Sequence, residues 1–172
     1  MSAFDALSRH QREIDELLGD VRNAIATDQR ALAEATFQLL AIKLMACMKA
    51  EHAVVYPRLA DVAGLVAEVA QARREHDAIE QTLNRLRVGG LHAEAWDGEL
   101  DRLARQIAAH TDLEEFSLFP IASLALTAKE LARIQTDYLA YHARSTAVAG
   151  PSITYEPAQP DPPELVVRFR AA

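Results

Sequence analysis

The stretch AHTDLEEFSLFP, residues 109–120, has a near-twin in ACMKAEHAVVYP, residues 46–57. In the later copy His110 stands four residues before Glu114, and Pro120 follows six after that glutamate. In the earlier copy Glu51 and Pro57 keep the same offsets, but Cys47 stands in the place of the histidine. Residues four apart share one face of an α-helix. Each copy therefore aims a pair of metal-capable side chains in one direction.

Around these stretches apolar residues recur every three or four positions. Glycine and proline are scarce before residue 149, while Ala, Leu, Glu, Arg and Gln are plentiful. This is a helical signature. It predicts helices over about 2–26, 29–59, 64–88 and 93 to about 120, with breaks at ATDQ (26–29) and GG (89–90). Thr127 stands three before Glu130, a capping-box spacing that opens a fifth helix running to about 143. Four long helices with short connections predict an all-α, up-down-up-down four-helix bundle. The additional C-terminal helix is expected as an appendage or packed across one end. From Gly150 onward GPSITYEPAQPDPPELVVRFRAA holds five of the seven prolines, a spacing no helix survives. The expected division is a helical bundle over 1–145 and an extended or disordered Pro-rich tail over 146–172. The tail's end, ELVVRFRAA, is apolar and basic enough to dock on the bundle or on a second subunit.

The core rows carry the chemistry. They are Leu7, His10, Ile14, Leu17 and Val21 in the first helix, and Leu40, Leu44, Cys47, Glu51 and Val54 in the second. The third has Val69, Ala72, His76, Ile79, Leu83 and Leu86, and the fourth Leu100, Leu103, Ile107, His110 and Glu114. Each row interrupts its apolar run with a side chain able to bind metal. A buried carboxylate needs a proton, a partner or a metal, and no lysine or arginine lies in these rows. Facing Glu and His residues are how bundles build carboxylate-bridged metal sites. His10 leads Cys47 by 37 residues and His76 leads His110 by 34, so two similar helix pairs face each other. Singly, a stripe histidine is more often a satisfied core residue, Glu51 can reach water, and Cys47 is a small core hydrophobe. Matched offsets in two copies favour a common metal layer.

LSRH (7–10), MKAEHAVVYPRL (48–59), REHDAIEQTL (74–83) and HTDLEEFSLFP (110–120) together resemble the hemerythrin-like, or HHE cation-binding, domain family. The resemblance covers about residues 3–124. It implies a bundle around a non-haem di-iron centre in a protein that binds, senses or acts on dioxygen, peroxide, nitric oxide or iron. By position it makes His10, His76 and His110 terminal ligands, and Glu51 and Glu114 bridging carboxylates. Cys47 departs from the family's histidine and puts one of the two irons in question. The metal shifts to meet a thiolate, water or His52 fills the position, or no metal binds. Zinc also accepts a Cys, His and Glu shell. Glu80, four after His76, is a further ligand or an edge residue. His52 and Glu115 each follow a proposed bridge by one residue, a rotation of about 100°, and so read as edge residues flanking the site. Tyr56 is expected at the site's mouth, and His92 and His142 have no assigned partner.

The net charge of −7 argues against nucleic acid and an anionic membrane surface. No uninterrupted apolar run reaches the roughly 18 residues of a membrane span. MSAFDALSRHQ lacks the layout of a secretory signal, and the single cysteine excludes an internal disulfide. The expectation is a cytoplasmic iron protein, with two ions or one if the Cys47 side is empty, and with a small molecule as its partner. A homodimer is a further expectation, and peroxide decomposition is the enzymatic alternative. The rivals are a metal-free degenerate bundle serving interaction or dimerisation, and a redox sensor built on Cys47.

Overall fold

The computed structural model describes residues 4–91 and 95–148; His92 and residues 149–172, most of the expected tail, lie outside the described residues. Helix α1 spans Asp5–Ala26. Helix α2 runs over Arg30–Ala50, passes through a π-helical turn at Glu51–Val55 and resumes over Tyr56–Leu59. Helix α3 spans Val66–Gly89. Helix α4 runs over Trp96–Leu113, passes through a second π turn at Glu114–Leu118 and resumes over Phe119–Ala125. Helix α5 spans Ala128–Val148. It outlasts the predicted end at 143 and the predicted domain limit at 145. No strand occurs among the described residues.

The breaks have local causes. Asp28 takes a left-handed conformation (φ 55°) between α1 and α2. Gly90, at φ 65°, ends α3 where a side chain would be strained. The capping box at the start of α5 forms as the spacing predicts. The Thr127 N–H donates to Glu130 Oε2 at 2.8 Å, and the Glu130 N–H donates to Thr127 Oγ1 at 3.3 Å.

The two π turns explain the matched prolines. In each, the residue after the turn donates its N–H five residues back, Tyr56 to the Glu51 carbonyl and Phe119 to the Glu114 carbonyl. Pro57 and Pro120 come next. A proline has no N–H for the residue four back, and its ring crowds that carbonyl. A widened turn just before it relieves both problems.

The core is split in two. One apolar cluster holds Phe4, Leu7, Val55, Leu59, Leu65 and Leu118 among others, and α5 joins it through Ile134 and Tyr138. The second holds Ile14, Leu18, Leu40, Leu44, Leu83 and Leu103 among others. The buried polar residues Gln11, Glu51, His76, His110 and Glu114 belong to neither cluster. Helix α5 helps close the first cluster, as a helix across one end would, but it also packs on α2 and its π turn. By length and composition alone Arg30–Leu59 could cross a membrane; here its Phe37, Leu40 and Leu44 are bundle core.

Candidate metal centre

Glu51 and Glu114 open the two π turns, and His76 and His110 face them from α3 and α4. The Nε2 atoms of His76 and His110 are 2.8 Å apart. Glu51 Oε2 lies 3.2 Å from His76 Nε2, and Glu114 Oε1 lies 3.6 Å from His110 Nε2. Glu114 is fully buried and Glu51 only 3% exposed. A small cavity of about 20 Å³ is walled by Gln11, Cys47, Glu51, His76 and His110 among others, a volume that suits one water-sized body.

Three further side chains hold this layer, none of them predicted in that role. Tyr56 is fully buried inside it rather than at its mouth. Its hydroxyl donates to Glu114 Oε1 at 2.8 Å and lies 3.2 and 3.3 Å from the two Nε2 atoms. Gln11 Nε2 donates to the other Glu114 oxygen at 2.6 Å. Glu75 Oε2 accepts from His110 Nδ1 at 3.1 Å, which leaves His110 Nε2 facing the layer. Glu75 follows from spacing, since it adjoins His76 at the rim of the α3 face.

The electrostatics are those of buried carboxylates with no lysine or arginine beside them, opposed only by imidazoles. Burial lifts Glu51 to about 7, and burial together with the charge of Glu51 lifts Glu114 to about 7. Burial, reinforced by His110, lowers His76 to about 3. Burial also works against His110, but Glu114 and the Glu75 hydrogen bond outweigh it and raise the imidazole to about 9. Burial drives the Tyr56 phenol well upward, so it remains a donor.

His10 and Cys47 lie in a second group, completed by His142 of α5. One donor atom from each of the three falls within 4.8 Å of the others, and the same holds for Glu51, His76 and His110. His10 is half-buried at the edge of its helix face, while its neighbour Gln11 takes the inward position. Cys47 is 4% exposed, and burial pushes its thiol up, with Glu51 adding to the effect. His52 belongs to neither group of donors. It is exposed beside His76, ring centroids 4.9 Å apart, in a cleft of about 370 Å³ also lined by Met48, Ala53, Glu80 and Tyr141. Glu80 is exposed at that cleft, and Glu115 is exposed in another beside Phe116.

The residues fit a bound cation. Two carboxylates and two imidazole nitrogens converge in the interior with no lysine or arginine among them, and imidazole with carboxylate suits first-row metals such as iron. His76, His110, Glu51 and Glu114 are the side chains that could hold it. No curated protein and no solved structure matches the chain. The family description "Hemerythrin HHE cation binding domain" does match, over residues 2–122. That span takes in α1 to α3, all of α4 but its last residues, and every residue of the polar layer. The fifth helix, and with it His142, falls beyond it. The chain belongs to the hemerythrin HHE cation-binding domain family, and carries a metal-binding domain of the kind that typically takes iron.

Proposed function

We propose that this chain is a non-haem iron protein that binds or senses a small molecule such as dioxygen, peroxide or nitric oxide, in the cytoplasm. The observation that carries the reading is the pair of buried carboxylates, Glu51 and Glu114, set against His76 and His110 with no lysine or arginine to neutralise them. Iron bound there supplies an open coordination position and a one-electron couple. The chain supplies the rest. Glu75 fixes the ring of His110. Tyr56 and Gln11 each give Glu114 one hydrogen bond, holding both its oxygens in place. The cleft past His52 and Ala53 reaches His76 and is large enough to admit a diatomic or peroxide. Two ions per chain are expected if the His10 side also fills, and one if it does not.

Metal analysis of protein purified anaerobically after expression with ample iron tests this, together with the absorption and nitric-oxide adduct of the reduced form. Protein that takes up no iron would sink the proposal. The redox-sensor reading is disfavoured by Cys47 itself, because a buried thiol with a raised pKa is a poor nucleophile.

A further inference from the structure

Where the twin stretch of α4 has His110, α2 has Cys47, and a histidine reaches the same place from outside the matched span. The His142 ring stacks on that of His10 with centroids 3.9 Å apart and an interplanar angle of 16°. His142 Nε2 is buried and has no hydrogen-bond partner among the described residues. A buried polar atom left so destabilises the fold unless something satisfies it. One turn earlier on α5, the fully buried Tyr138 hydrogen-bonds the Cys47 sulfur through its hydroxyl, which also lies 3.0 Å from His10 Nδ1. Tyr138 thus fixes where α5 meets this group and offers a donor to the sulfur when metal binding deprotonates it.

A cysteine sulfur stays closer to its own backbone than a histidine Nε2 does, so Cys47 alone falls short of a centre shared with Glu51. A third ligand arriving from α5 makes up the distance from the other side. One thiolate and two imidazoles suit borderline cations such as zinc, cobalt(II) and iron(II), and not the hard oxygen-seeking magnesium or calcium.

We infer that His10, Cys47 and His142 form a thiolate-containing site for a divalent transition cation, in which the fifth helix adds the imidazole that the second helix lacks. The inference deepens the metal-centre reading and rests on it, but through a separate set of donors. On binding, the sulfur–hydrogen bond is exchanged for a sulfur–metal bond, and one proton passes to solvent for each ion bound.

The test is a cobalt(II) titration of the full chain, freed of metal and kept anaerobic, read by thiolate-to-cobalt absorption in the near ultraviolet. The wild type should develop this band, and Cys47→Ser should lose it. His142→Phe keeps a stacking ring but has no nitrogen, and should need at least tenfold more cobalt. His142→Ala, at a half-buried position, repeats the test in case the phenylalanine misfolds, with circular dichroism checking both. His110→Ala should keep the band. A band unchanged in both His142 variants would overturn the role of the fifth helix. Cobalt bound without the band would overturn thiolate ligation while leaving the carboxylate centre standing. Failure to bind cobalt at all would remove the inference and the metal-centre reading together.

Discussion

Glu114→Gln should stabilise the metal-free protein at alkaline pH and remove its response to iron. Glu114 is fully buried, and burial, followed by the charge of Glu51, raises its carboxyl from 4.5 to about 7. A group that holds its proton more tightly when folded leaves the fold unaffected below the unfolded value. It then withdraws stability as pH rises through the folded one. At pH 8 that withdrawal is complete, and at about 1.4 kcal/mol per pH unit it comes to roughly 3 kcal/mol. Glutamine keeps the shape and does not titrate, but it gives up the attraction to His110 and rearranges the bonds to Tyr56 and Gln11. A net gain of about 1–2 kcal/mol is left, or roughly 2–8 °C in melting temperature for a chain of this size. Ferrous iron at one hundred times its dissociation constant should add about 2.7 kcal/mol to the wild type and far less to the variant. Anaerobic thermal unfolding at pH 8, with chelator and then with ferrous iron, measures both. A variant that melts below wild type in chelator and gains as much from iron would refute the reasoning.

Other outcomes follow from the same geometry. Glu75→Gln should weaken metal binding about 10- to 100-fold, since it frees the His110 ring while leaving its nitrogen in place; competition with a coloured chelator reads this. The metal-free chain should lose stability as pH rises from about 6.5 to 9. His110, raised to about 9, contributes most below 6.5 and loses that contribution across this window. Glu51 and Glu114 act in the same direction only up to about 7. His76 and His142, lowered to about 3 and about 4, work oppositely below 6.5, so urea midpoints should change little between about 4.5 and 6.5 and fall above it. Ala53→Trp, in the cleft over His76, should slow nitric-oxide association with the reduced iron form without changing iron content; stopped-flow absorption tests it.

The rows of α3 and α4 were legible residue by residue, because each is a regular helix with one buried face up to its polar residue. All of Val69, Ala72, His76, Ile79, Leu83 and Leu86 are buried, as are Leu100, Leu103, Ile107, His110 and Glu114. In α1 the expected row holds His10 and Leu17, yet Gln11 and Leu18 are the buried members. Periodicity alone cannot place the centre of a face within one residue when its edge is covered by another helix, and here α5 reaches His10. In α2 the expected Val54 yields to Val55, because the π turn adds a residue between Glu51 and the rest of the helix. Tyr138 and His142 share one side of α5 by their spacing of four, but no local pattern tells which helix that side will meet. Their partners lie far away in sequence, and only the packing of the fifth helix against α2 brings them to Cys47.

Each π turn gives its helix one residue more than an α-helix of equal length would hold. Residues on either side of Glu51 are therefore in different rotational phases of one helix. Before it, the phase that presents Leu44 and Cys47 is set by the core beyond the layer; after it, a new phase presents Val55, Tyr56 and Leu59 to the core at the other end. Closing this turn into a regular α-helix with every residue retained would turn everything beyond by about 100°. Tyr56 would swing away from Glu114, though Glu51 itself would stay. The turn works as a gear between the layer and one end of the molecule: loss of one residue there is taken up by its closing, while closing it without that loss is a rotation applied to half a core.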